Sequence, residues 1–144
     1  MLKFQVYHGS VWALGQKFTK LTLNYSAYEG FFFSNSWTTA QNYALQKTDL
    51  GTPIILEGEV ILKSPYYLTQ EELAILMDAY CVGEMNKIFR KYKRQGHDSI
   101  IYPPNQTGLE IVCFKSKSFK VSKTWIYQNG WRQLYTRANM SNDI

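Results

Sequence analysis

The chain has 144 residues, the ordinary size of one domain and enough to bury about two thirds of its unfolded surface without a disulfide or metal staple. Hydrophobic residues make up 45% and charged residues 19%, a globular balance that excludes intrinsic disorder. No run approaches the roughly 20 apolar residues of a membrane span. The formal net charge of +5 favours an acidic partner: nucleic acid, an acidic protein face or a phosphorylated small molecule.

Aromatic residues reach 16%, with eleven Tyr, eight Phe and four Trp, a surplus that suits a site for flat ligands as well as a core. Cys81 and Cys113 have no metal-ligand spacing and both lie in apolar runs, so they read as reduced core thiols. The first eight residues carry one charge and too short an apolar stretch for a secretory signal. The expectation is a soluble protein of a reducing cytoplasm, its own or a host's.

In chain order, Phe4 to Tyr7 reads as a short strand and Val11 to Glu29 as a long loop with a helical turn. Phe31-Phe32-Phe33 reads as a buried strand by aromatic density. Asn35 or Ser36 then caps a helix from Trp37 to about Gln46, with Ala40, Tyr43 and Ala44 at i, i+3 and i+4. Pro53 starts a strand through Lys63. Ile54, Leu56, Gly58, Val60 and Leu62 alternate with Glu57, Glu59 and Lys63, and Ile55 and Ile61 interrupt the polar set.

Thr69-Gln70-Glu71-Glu72 is a capping box that opens a helix to about Lys93. Leu73, Leu76, Tyr80, Ile88, Phe89 and Tyr92 are its apolar contacts, Gly83 is a possible break, and Gly96 ends it. Strands follow over Ser99 to Tyr102, Glu110 to Phe114 and Phe119 to about Tyr127, then an Asn129-Gly130 turn and a frayed tail from Arg137. No linker or repeat divides the chain. The sum is an α+β domain over residues 1–136, with several short strands around two helices.

Three short patterns then stand out in order. Tyr7-His8-Gly9-Ser10 ends the first strand. Gly30-Phe31-Phe32-Phe33-Ser34 leads into the helix that carries Tyr43. Glu110-Ile111-Val112-Cys113-Phe114 opens a late strand, after Gly96-His97-Asp98-Ser99-Ile100-Ile101. Taken singly, each has an ordinary structural reading: a loop histidine, core phenylalanines, a packed tyrosine, a solvated glutamate. Their order carries the argument.

The set resembles the diphtheria-toxin-like ADP-ribosyltransferase family, the branch marked by a His, a Tyr and a Glu, which includes poly(ADP-ribose) polymerases and small phage and bacterial effectors. His8-Gly9-Ser10 is similar to its first motif, Gly30 to Ser34 with Tyr43 to its second, and Glu110 to Phe114 to its third. Lys63-Ser64-Pro65 and Gly96 to Ile101 are similar to two further segments of the family. Three positions depart from the pattern: Phe32 stands for a Tyr, Ala40 for a frequent Ser, and Ser99 for a Gly.

The resemblance implies short, mostly antiparallel strands in two packed sheets with flanking helices. It also implies mono-ADP-ribosyl transfer from NAD⁺, with no metal. Tyr7, His8, Gly9, Ser10, Phe32, Ser34 and Tyr43 would then bind the dinucleotide, with Glu110 and His8 in the catalytic centre. The chemistry agrees. Phe32 and Tyr43 can sandwich a cationic nicotinamide. His8 can meet ribose hydroxyls. Glu110 can stabilise the oxocarbenium charge that develops when the glycosidic bond breaks.

The alternatives are an NAD⁺ glycohydrolase on the same fold and an inactive NAD⁺- or nucleic-acid-binding module. An RNA 2′-phosphotransferase, expected to carry several pocket arginines, is disfavoured because no Arg precedes residue 90. The acceptor is expected to be an acidic protein or a nucleic acid. Lys87, Arg90, Lys91 and Arg94, at i, i+3, i+4 and i+7, form a basic stripe suited to docking it, or simply a solvated face.

Overall fold

The computed structural model describes residues 1–13, 28–79 and 81–134. In chain order these form β1 (Leu2–Trp12), β2 (Phe31–Ser34), α1 (Trp37–Leu45), β3 (Thr52–Leu62), β4 (Pro65–Tyr67), α2 (Gln70–Met77), α3 (Val82–Arg94), β5 (Ser99–Ile101), β6 (Glu110–Cys113), β7 (Phe119–Tyr127) and β8 (Trp131–Leu134). The α+β class is as expected. The expected frayed tail and most of the expected long loop lie outside the described residues.

Two packed sheets are not what the hydrogen bonding gives. All eight strands join in one sheet, in the order β4-β5-β6-β2-β1-β3-β7-β8. Among the described residues, only the β4–β5 pair is parallel. The sheet nevertheless has a narrow waist. β1 pairs β3 along all 11 residues of each strand, whereas β1 meets β2 at a single partner pair, Tyr7↔Ser34. β1 runs well past Tyr7 because β3 lends it a full ladder of partners, which local sequence does not reveal.

The core is divided by the sheet into two faces. One cluster packs Val6, Phe33, Ile54, Leu56, Val60, Leu62, Ile111 and Ile126 on one face of the sheet. A second packs Leu76, Phe89, Tyr92, Ile100 and Val112 against α2 and α3. β3 alternates as its sequence predicts, with Ile55 buried on the face opposite Ile54 and Leu56.

Local signals set the helix starts. The Ser36 hydroxyl accepts from the Thr39 amide at 3.3 Å and caps α1. The capping box of α2 is complete: Thr69 Oγ1 accepts from the Glu72 amide, and the Glu72 carboxylate accepts from the Thr69 amide. Glu72 also accepts from the hydroxyls of Tyr66 and Tyr92, tying β4 to α3. The expected single long helix is two, because α2 stops at Met77 and α3 starts at Val82. Tyr80 lies outside the described residues. Gly83 falls in the first turn of α3 rather than at the break.

Gly96, at φ 96°, follows α3, and Asn129 and Gly130, at φ 60° and 120°, turn β7 into β8, a short strand the sequence did not announce. Cys113 is buried as expected, but Cys81 is exposed at the start of α3 and is not a core residue.

Two further family-like segments meet at one corner. The Asp98 carboxylate accepts from the backbone amides of Lys63 (2.7 Å) and Ser64 (3.1 Å) and from the Ser99 hydroxyl (2.8 Å). Burial opposes its charge, but these donors outweigh burial and hold its pKa below the ordinary carboxylate value. His97 bonds the Ser64 carbonyl through Nδ1.

Candidate active site

β1, β2 and β6 meet at the waist, and strand alternation sorts their side chains. Tyr7 faces Ser34 across β1–β2, and Ser34 faces Glu110 across β2–β6. Tyr7, Gly9, Phe32, Ser34 and Glu110 therefore share one face of the sheet. His8, Ser10 and Phe33 point to the other, and the His8 and Phe33 rings lie 5.4 Å apart.

α1 lies on the first face. A Cβ built on Gly9 would come 2.0 Å from the Ala40 carbonyl oxygen, so α1 touches the bare backbone of β1 there. Ala40 and Ala44 are fully buried in this contact. That explains Ala40, since the position packs a helix against a strand. The close approach that the missing side chain of Gly9 permits is that of α1. Tyr43 does not share the buried face of Ala40 and Ala44. It is 45% exposed at the flank of α1.

A cluster of rings holds the other end of α1. Trp37 makes edge contacts at 5.5 Å with Tyr7, Trp125 and Trp131. The Trp37 and Trp131 indole N–H groups both donate to Gln41 Oε1, and that of Trp125 donates to Glu57.

Glu110 is half-buried, and burial raises the pKa of its carboxyl above the ordinary value. The Tyr102 amide donates to the Glu110 carbonyl at 2.9 Å, which places Tyr102 opposite Glu110 on the same face. The Tyr43 phenol is pushed up by burial, then by the charges of Glu110 and Tyr28. The Tyr102 phenol is pushed up by burial, then by Glu110, Tyr43 and Tyr28. The charge of Glu110 is thus felt at both Tyr43 and Tyr102. Tyr28 also packs edge-on to Phe32 at 5.2 Å, and Phe32 reaches Phe89 at 6.1 Å.

The structure therefore brings together Phe32, Tyr43 and Glu110 among the residues the sequence singled out, and adds Tyr28 and Tyr102, which it did not. Ser34 is buried, and its hydroxyl oxygen accepts from the Ser36 amide at 3.0 Å, at the entry to α1. Ser10 lies in the β1–β3 ladder opposite Ile54. Asn35 pins the approach to Glu110, accepting from the Leu109 amide through Oδ1 and donating its own amide to the Leu109 carbonyl.

His8 stands at the seam. Its Nδ1 is 2.5 Å from the Phe32 carbonyl oxygen. A carbonyl only accepts, so Nδ1 carries the proton, and Nε2 is left as an acceptor for a hydroxyl donor. This bond laces β1 to β2 where the ladder has only one partner pair. Burial holds the imidazole well below its ordinary 6.5, at about 4, although the Phe32 bond works the other way.

The neutral imidazole has a consequence for stability. An unfolded chain takes up this proton below about pH 6.5, whereas the folded chain resists until about pH 4. Stability is therefore expected to fall as the pH drops through that window, by at most about 3 kcal/mol from this group. His8→Asn keeps an amide donor for Phe32 but cannot titrate. Urea unfolding at pH 7 and pH 4.5 should show a smaller loss for His8→Asn than for wild type; equal losses would mean that His8 is not the group.

On α3, Lys87, Arg90, Lys91 and Arg94 are all exposed, as a stripe requires, while Phe89 and Tyr92 face the core. They are not equivalent. Arg90 Nε lies 2.9 Å from both carboxylate oxygens of Glu29. Lys87 makes a looser contact with Glu84 at 3.6 Å, and Lys91 lies 5.5 Å over the Tyr92 ring.

No family model matches the sequence, and no curated protein matches it. Among solved structures, the chain is similar to a chain of the crystal structure of the M. tuberculosis MbcT–MbcA toxin–antitoxin complex. The TM-score is 0.56 with 7% sequence identity, over 88% of this chain and 85% of that one. At that identity the likeness is one of fold: this α+β domain shares its architecture with a component of a toxin–antitoxin pair. Among the described residues, no helix is long and apolar enough to cross a membrane.

Proposed function

We propose that the chain is an NAD⁺-dependent mono-ADP-ribosyltransferase that acts as a toxin-like effector on a macromolecular acceptor. The observation that carries this reading is the half-buried Glu110, set on one sheet face with Phe32 and felt by the phenols of Tyr43 and Tyr102. Aromatic faces beside a carboxylate suit a flat cationic leaving group. In the proposed reaction the bond from the ribose C1′ to the nicotinamide nitrogen breaks, and its electron pair neutralises the departing ring. Glu110 stabilises the positive charge left on the sugar until the acceptor nucleophile bonds to C1′ and releases its proton. The fold shared with a component of a toxin–antitoxin complex supports the effector reading, and with it a protein partner for this chain.

Incubation with labelled NAD⁺ and a cell extract, followed by protease or nuclease digestion, tests this. Label should enter a digestible macromolecule with wild type and not with Glu110→Gln. Free ADP-ribose without labelled macromolecule would make water the acceptor and the protein a glycohydrolase. No consumption of NAD⁺ would sink the enzyme reading.

The basic stripe is proposed to dock the acidic acceptor. Arg90 is committed to Glu29, so the clean test reverses Lys87, Lys91 and Arg94 to Glu. Macromolecular labelling should fall and NAD⁺ hydrolysis should not, and wild-type labelling should decline steeply with added salt. Equal labelling by the reversed variant would leave the stripe as solvated surface.

A further inference from the structure

Glu29 is held twice by α3. Its amide donates to Asn86 Oδ1 at 2.7 Å, and its carboxylate accepts from Arg90 Nε at 2.9 Å to each oxygen. Asn86 and Arg90 are four residues apart on α3, hence neighbours on its surface, and Asn86 is buried. The residues flanking Glu29 are tightly placed as well. A Cβ on Gly30 would come 2.4 Å from the Val112 side chain, so the chain is pressed onto β6 there. On the other side, the Tyr28 ring stands edge-on to Phe32 at 5.2 Å. The charge of Tyr28 is felt at Tyr43 and Tyr102, the two phenols beside Glu110.

An exposed ion pair contributes little to global stability, and Arg90 and Glu29 are 51% and 39% exposed. The pair gains a purpose from where it acts: it fixes the backbone at the residue after Tyr28. We propose that Asn86 and Arg90 are positioning residues for the dinucleotide pocket, acting through Glu29 to hold Tyr28 against Phe32. This rests on the NAD⁺ reading above. It also separates Arg90 from its stripe neighbours, whose charges face solvent.

The test compares wild type, Arg90→Glu and the charge swap Arg90→Glu with Glu29→Arg. Two quantities are measured: NAD⁺ affinity by calorimetry, and the ring proton shifts of Tyr28, which sense the Phe32 ring and need no ligand. Arg90→Glu should weaken NAD⁺ binding roughly three- to tenfold, the scale of one aromatic contact, and raise KM with kcat unchanged. Its Tyr28 shifts should move, and its melting temperature should hardly change. The swap should restore both the shifts and the affinity, which an acceptor-docking role for Arg90 would not predict.

Unmoved Tyr28 shifts in Arg90→Glu would overturn the proposal, and so would moved shifts with unchanged affinity. A folded swap variant that restores neither quantity would do the same. Wild-type protein that binds no NAD⁺ would overturn the NAD⁺ reading, and this role with it.

Discussion

Glu110→Gln is expected to leave the fold intact and NAD⁺ bound while transfer falls by roughly 10²–10³-fold, the scale of one lost electrostatic stabiliser. The substitution keeps the shape of the side chain and removes the charge, so it acts on the transition state and spares the ground state. The expected pattern is a large drop in kcat with little change in KM. A pH profile sharpens the test. Burial raises the Glu110 pKa above its ordinary 4.5, and the mechanism needs the ionised form. Activity should therefore rise with pH through a limb above 4.5, and the residual activity of Glu110→Gln should lack that limb. Wild-type turnover by the variant would remove Glu110 from the mechanism.

Local signals were read well from the sequence, and long-range ones were not. The Ser36 cap, the Thr69–Glu72 box and the Asn129-Gly130 turn are written within a few residues, and all three appear in the structure. β4 is only three residues long and owes its existence to a parallel partner more than thirty residues away, so no local pattern marks it. β8 mixes Trp131, Arg132, Gln133 and Leu134, and becomes a strand by pairing with β7. The same division runs through the candidate site. Phe32, Tyr43 and Glu110 sit inside short motifs. Tyr102 gains its place only because it lies opposite Glu110 in the β5–β6 ladder, extended by one pair. Tyr28 gains its place through Glu29 and α3, contacts between residues about sixty apart in sequence. Gly9 was legible as a special position, but its partner was not: a helix that packs on it is invisible until α1 is docked.

That packing supports the second large effect, which needs no assumption about function. Gly9→Ala should destabilise the protein by about 1–3 kcal/mol or more, the cost of forcing extra volume into a filled contact. The methyl group would sit 2.0 Å from the Ala40 carbonyl oxygen and 3.1 Å from the Ala44 nitrogen, both backbone atoms of α1. Neither can rotate aside, so β1 and α1 must separate. The damage should also reach the pocket, because α1 carries Tyr43. Gly83→Ala is the matched control. It lies in the first turn of α3, and the nearest atom to its new methyl is the Cys81 sulfur at 4.0 Å. There the substitution only narrows the unfolded ensemble and improves helix propensity, so it should stabilise by about 0.4–1 kcal/mol. Thermal melts of the two variants should therefore shift in opposite directions, Gly9→Ala downward by several degrees and Gly83→Ala slightly upward. A Gly9→Ala variant that melts with wild type would mean that α1 does not rest on the backbone of β1, and would take with it the placement of Tyr43 beside Glu110.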